Sequence, residues 1–234
     1  MSGSVMPSYG RTDVSFVKGD GVYLYTQDDK RYLDFGAGIA VTALGHSHPK
    51  LVTALREQTG RLWHTSNLYH IPQQKRLADR LVSNSFADTV FFCNSGAEAV
   101  EASIKLIRKY HSTKGHSERY RLISFEGSFH GRTLATIAAG ANEAHRAGFG
   151  PKIDGFDSVA FGDIKATIAA VTDETAGIMV EPVQGEGGIR IADPVFLREL
   201  RALATENNLL LMLSLIHISE PTRPRLISYA VFCL

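Results

Sequence analysis

An α/β fold built on a mostly parallel sheet is what the sequence predicts, and three observations carry that reading. Short apolar segments of strand length alternate with longer segments whose apolar residues recur at helical spacing, the pattern of βαβ units. Several of the apolar segments run straight into turns of small residues, where a strand hands over to a helix. The composition allows a core, since 44% of the 234 residues are hydrophobic and 21% charged.

The N-terminal part stands outside this alternation. Residues 22–26 and 31–35 read as a hairpin joined by Gln27, Asp28, Asp29 and Lys30, and a glycine-rich passage follows over 36–45. Pro49 suits a first helical position, and Leu51, Ala54 and Leu55 form an apolar stripe at i, i+3, i+4. A second helix is expected over 73–81, beyond a loop around Ser66 and Asn67. The alternation then begins, with a strand over 88–93 and a helix over 96–110 that gathers Val100, Ile104 and Ile107 on one face. Within that helix Glu101 and Lys105 are spaced as an i, i+4 ion pair. Strands follow over 121–125, 158–161, 175–180 and 209–213, with helices over 164–171 and 194–206 between them.

Charge and cysteine content exclude several classes of function. Lys and Arg number 25 against 24 Asp and Glu, a formal charge of +1, which argues against a general nucleic-acid binder. Cys93 and Cys233 cannot make a disulfide framework, and no Cys/His spacing has zinc-site form. His46 and His48, with one Ser between them and no nearby Cys, read as a turn and helix entry rather than a metal site. Residues 1–10 lack the basic and apolar regions of a secretory signal, and no apolar run reaches the roughly 18–20 residues of a membrane span. A cytoplasmic protein acting on small molecules is expected, with no nucleic-acid or membrane partner and no metal.

Three strand exits hold the residues with chemistry. In the first, a strand ends at Cys93 and Asn94, and Ser95 caps the next helix with Glu98 three residues on, a capping-box pattern. The amides of Gly96 and Ala97 then lie at the positive end of a helix, which suits a phosphate, although a capped helix without a ligand fits the same pattern. The second exit combines Phe129, His130 and Arg132: an aromatic face for a planar ring and a guanidinium for a carboxylate. A core Phe beside a surface Arg reads equally well there. The third places Glu181 and Glu186 in a Gly-rich stretch, suited to a cationic group or a partner Arg, or to a plain strand-exit loop.

Taken in order, six blocks resemble the class III aminotransferases, pyridoxal-phosphate enzymes of fold type I. They are YLDFGAGIAVTALGHSHP, LWHTSNLY, VFFCNSGAEAVEASIKLIRKY, FEGSFHGRTLAT, GFGP and VEPVQGEGGI, within a likeness running from about Gly19 to Leu213. The resemblance implies pyridoxal 5'-phosphate as cofactor and transfer of an amino group between N-acetylornithine and 2-oxoglutarate, a step of arginine biosynthesis. It matches Ser95, Gly96 and Ala97 to the phosphate-binding turn and Phe129, with His130 beside it, to the residue stacked on the pyridine ring. Arg132 matches the residue that holds the substrate α-carboxylate, Glu186 the glutamate that gates the second substrate, and Glu181 a supporting carboxylate. It also implies a homodimer with amino-acid and 2-oxo-acid substrates. Residues 1–50 then belong to the small domain and 51–213 to the first part of the large, cofactor-binding domain, making the type I fold incomplete.

The likeness stops at Leu213. In the family the last apolar strand leads into Asp-Glu-Val-Gln, whose Asp pairs with the protonated pyridine nitrogen; here Ser214 stands in its place. Residues 214–234 match nothing in the family and read as an artefactual tail from a frameshift, read-through or chimeric assembly. Lys105, Lys109, Lys114, Lys152 and Lys165 lie in no motif that matches the Schiff-base lysine. The chain is therefore expected to be truncated, poorly soluble and inactive. Succinylornithine, ornithine and 4-aminobutyrate transaminases remain alternatives within the family, as does a semialdehyde aminomutase, which FHGRT disfavours. A non-catalytic fragment that only pairs with an aminotransferase subunit is the alternative outside it.

Overall fold

The computed structural model describes residues 3–215 and 231–233. The expectation of a foreign tail falls mainly on residues 216–230 and 234, which lie outside the described ones. Contacts divide the chain into two compact units, Met1–Ile71 and Pro72–Leu234.

The first unit holds an antiparallel sheet in the order β1 (Phe16–Asp20), β2 (Tyr23–Thr26), β3 (Arg31–Leu33). The expected hairpin is its β2–β3 pair, with shorter strands than expected. The sequence reading missed β1, whose run Phe-Val-Lys-Gly-Asp alternates too briefly to read as a strand. Beyond the sheet, α1 (Ala37–Ala40) is a single turn whose Gly38 and Ile39 have φ of +63° and +60°, a left-handed path through the glycine-rich passage. His46 serves the turn after it, its Nε2 lying 2.7 Å from Asp34 Oδ2, while Asp34 Oδ1 accepts the amides of Gly36 and Ala37. That His46 bond, with the Ala37 and Gly36 amides, holds the Asp34 carboxyl below its usual range. Helix α2 (Pro49–Thr59) starts at Pro49 as expected, but it buries no residue, and the stripe of Leu51 and Leu55 is exposed.

The second unit opens with α3 (Pro72–Ser83), which also buries no residue. The strand expected over 88–93 is not one. Phe91 is 72% exposed, and no described strand pairs with this segment, so its apolar run has no ladder to join. Helix α4 (Gly96–Thr113) is followed by β4 (Arg121–Phe125), α5 (Leu134–Ala139), α6 (Glu143–Arg146), β5 (Phe156–Val159) and α7 (Ile164–Ala169). Then come β6 (Thr175–Val180), β7 (Val183–Gln184), β8 (Arg190–Ile191), α8 (Pro194–Glu206), β9 (Leu210–Leu213) and β10 (Val231–Cys233). The expected strand over 158–161 lies earlier, as β5, where Phe156 provides the buried anchor.

The main sheet runs β10-β9-β6-β4-β5, parallel throughout except that β10 pairs antiparallel with β9. Ile178 on β6 stands between Ile123 and Leu211, and Gly177 between Leu122 and Leu210. Those two rows face opposite sides. Leu122, Met179 and Met212 pack with Val100, Ile104 and Ile107 of α4 and Ala138 and Ala139 of α5. Ile123, Phe125, Ile178 and Leu211 pack with Phe196, Leu200 and Leu203 of α8. Helices therefore cover both faces. Gly177 makes the first packing possible, because a Cβ there would lie 2.7 Å from the Leu210 carbonyl oxygen and 3.2 Å from Ile107.

The strand order explains why the helices divide between the faces. The chain steps from β4 to β5 in one direction and returns past β4 to reach β6 and β9 in the other. A right-handed crossover that reverses direction must lie on the opposite face. The reversal leaves a crevice beyond the carboxyl ends of β4 and β6, where open α/β sheets bind ligands.

Candidate functional site

At the entry to α4, Ser95 is the N-cap and its Oγ accepts the Glu98 N–H at 3.2 Å. The capping box expected from the sequence is modified. Glu98 reaches one residue further back, to the Asn94 N–H at 2.6 Å and Asn94 Nδ2 at 3.0 Å, because Asn94 offers both a backbone and a side-chain donor. Among the described residues, nothing accepts from the amides of Ser95, Gly96 and Ala97. They stand at the positive end of an 18-residue helix.

The β4–α5 loop crosses this helix end and is held at several points. Gln184 Nε2 donates to the Glu126 carbonyl at 2.9 Å, and the Phe129 N–H donates to Glu181 Oε2 at 2.9 Å. His130 Nδ1 lies 2.9 Å from Ser214 Oγ, and Ser214 N–H in turn donates to the Val180 carbonyl. Gly131 sits directly on α4, where a Cβ would approach Ala97 Cβ to 2.8 Å, and its φ of +127° already excludes most side chains. Thr133 caps α5 in a reciprocal box with Thr136, and its hydroxyl also donates to Glu101. Glu101 is thus engaged with the loop instead of forming the expected pair with Lys105.

The side chains expected to carry chemistry fall into two groups. Phe129 is half-buried, with the exposed Arg132 guanidinium 5.5 Å from its ring centroid and the His145 ring edge-on at 6.1 Å. His130 is 1% exposed, and burial pushes its pKa down to about 3, so it is neutral across the ordinary range. Its Nε2 is buried with no partner, as are the Oγ of Ser128, two residues before it, and the Oε1 of Gln184 on β7. The two carboxylates part company: Glu186 lies exposed in the turn between β7 and β8, whereas Glu181 is 2% exposed. Burial pushes Glu181 up to about 8; the Phe129 N–H opposes the shift and the Glu186 charge adds to it.

The structure therefore brings Phe129, Arg132, Glu181, His130 and Ser214 together, with Gly131 joining them to Ala97. Sequence reasoning missed the anchors Gln184, Thr133 and Glu101. Only Thr133 left a local signal, a hydroxyl residue three positions before Thr136 and ahead of an apolar run.

Comparison with known proteins shows the family. The family described as aminotransferase class-III matches residues 5–216. The acetylornithine aminotransferase of Agrobacterium fabrum is 55% identical over 205 residues, which cover 88% of this chain and 51% of that protein. That of Mesorhizobium japonicum is 57% identical over 213 residues, 91% of this chain and 53% of the relative. Among solved structures, an ornithine aminotransferase from Toxoplasma gondii, described with partial occupancy of PLP at its active site, superposes with a TM-score of 0.86 at 28% identity. It is covered over 51% of its length by 92% of this chain. An N-acetylornithine aminotransferase from Stenotrophomonas maltophilia superposes with a TM-score of 0.73 at 37% identity, over 86% of this chain and 50% of its own. The chain spans about half the length of the curated relatives it matches.

Proposed function

The chain belongs to the class-III aminotransferase family, and from that premise we propose that its site binds pyridoxal 5'-phosphate and serves amino-group transfer between N-acetylornithine and 2-oxoglutarate. The row of unpaired amides at Ser95, Gly96 and Ala97, beside the loop that carries Phe129 and Arg132, is the observation that supports it most. The donor set fits the phosphate and the ring. When bound, the cofactor supplies an electron sink that acidifies the bond at the amine-bearing carbon. The amides at the positive end of α4 hold the phosphate. Phe129 offers an apolar face to the ring. Arg132 grips the amino acid's α-carboxylate with parallel hydrogen bonds, which favours α-amino-acid substrates.

For keeping a proton on the ring nitrogen the residues of the site would be less suited. Ser214 and the neutral His130 carry no negative charge to keep a proton there. Lys114 and Lys152 direct their amines to Tyr110 and to the Phe156 carbonyl, away from these residues. We therefore propose that residues 1–215 bind and orient the ligands without completing turnover. The division into a small-domain segment over 1–50 and the first part of a large domain over 51–213 is kept as part of this reading. So is a homodimer: exposed Leu55, Trp63 and Leu68 are the kind of surface a second subunit covers.

Titration with pyridoxal 5'-phosphate, and with pyridoxamine 5'-phosphate, which cannot link to a lysine, tests the reading. Saturable binding of both is expected, competed by inorganic phosphate and weakened about tenfold in Phe129→Ala, the size of one stacking contact. No glutamate should form from N-acetylornithine and 2-oxoglutarate. Absence of saturable binding would sink the cofactor assignment, and turnover would sink the proposed inactivity.

A further inference from the structure

The resemblance gives Glu181 only the role of a supporting carboxylate without saying what it supports, yet it is the carboxylate buried most deeply at the site, 2% exposed. Burying an acidic group is costly, and a glutamine would accept the same hydrogen bond at lower cost. What the carboxylate touches is the backbone amide of Phe129, 52 residues away in the chain and 2.9 Å away in space. We propose that Glu181 is a positioning residue, which ties the β4–α5 loop to the end of β6 through the Phe129 amide and so sets where the Phe129 ring and the Arg132 guanidinium stand. The proposal rests on the reading of Phe129 and Arg132 as ring- and carboxylate-binding residues.

The other anchors hold the loop to different elements. His130 is held by Ser214 at the end of β9, Gly131 by its approach to Ala97, and Thr133 by Glu101. The Phe129 amide is where the loop meets β6, across the crevice at which the strand order reverses. Arg132 lies over the same ring, so a shift of Phe129 carries the guanidinium with it.

The tether responds to pH. Burial lifts Glu181 to about 8, so it is protonated in mild acid and ionises above neutrality, where its bond to the amide becomes charge-assisted and stronger. The charged group that acts on it is Glu186 from the β7–β8 turn, which opposes ionisation, while His130 of the loop is buried, neutral and bonded to Ser214. Arg132 on that loop lies toward the Phe129 ring, and Ser214 at the end of β9 does not titrate.

Amide hydrogen exchange on the full chain, corrected for the intrinsic rate, reads the tether directly. Protection at Phe129 is expected to rise about tenfold between pH 6.5 and 9, the difference between a neutral and a charged acceptor. Glu181→Gln should keep the protection but flatten the profile. Glu181→Ala should lose it while the β4 amides stay protected, and if that variant fails to fold the Glu181→Gln profile decides alone. Unchanged protection at Phe129 in a folded Glu181→Ala, or one shared pH profile for the unaltered chain and Glu181→Gln, overturns the proposal. Cofactor titration of the same proteins tells the two readings apart, because the exchange measurement needs no ligand.

Discussion

Helices α4 and α8 bury complete apolar faces, whereas α2 and α3 bury none. Val100, Ile104 and Ile107 of α4 and Phe196 and Leu200 of α8 are closed off against the two sides of the sheet. Leu51 and Leu55 of α2 are 55% and 66% exposed, although their spacing is as regular. Apolar periodicity tells the chain to form a helix with a greasy side. It does not supply the surface that covers that side, and only a covered face contributes the roughly 25 cal/mol per Å² of burial.

The sharpest way to break this comparison is to truncate one residue from each region. Phe196→Ala in α8 should cost about 3–5 kcal/mol in urea unfolding, since its ring is closed in by Phe125 and Phe161, while Leu55→Ala in α2 should stay within about 0.5 kcal/mol. Comparable losses at both positions would mean that α2 is covered in solution.

Acid and base titrate the buried region from opposite sides, and this effect should come next in size. His130 has its pKa depressed in the folded chain, so its contribution is present above 6.5 and lost as pH falls toward about 3. Glu181 is raised in the folded chain, so its contribution is present below 4.5 and lost as pH rises through about 8. The two slopes offset each other between 4.5 and 6.5, giving a plateau with a falling limb on each side. Thermal melts should show those limbs, with His130→Gln flattening the acid one and Glu181→Gln the alkaline one. Ser95→Ala removes only a cap and should cost about 1 kcal/mol of chemical stability. Smallest of all, Lys105→Ala should change stability by less than about 0.5 kcal/mol, because Glu101 is engaged with Thr133.

Much of the fold was legible because β4, β6, α4 and α8 are long or apolar enough to show their period. The 88–93 segment misled for the same reason: Phe91-Phe92-Cys93 has strand composition, but a strand exists only beside another. The two-residue strands β7 and β8 are too short to show a period, and six-residue α5 hides behind an aromatic loop. At the site, residue types at strand exits were readable. Their mutual arrangement was not, since the bonds joining Phe129 to Glu181 and His130 to Ser214 span 52 and 84 positions. No local pattern encodes a contact of that reach.

Gly131 has a further consequence, best put in genetic terms. Its φ of +127° and the 2.8 Å that would separate a Cβ from Ala97 leave no room for any side chain. Every single-base change of a glycine codon that alters the amino acid installs a Cβ or ends translation. A library randomised at this codon and selected for a folded chain should therefore return glycine alone, although neither neighbour, His130 nor Arg132, is so constrained by its backbone.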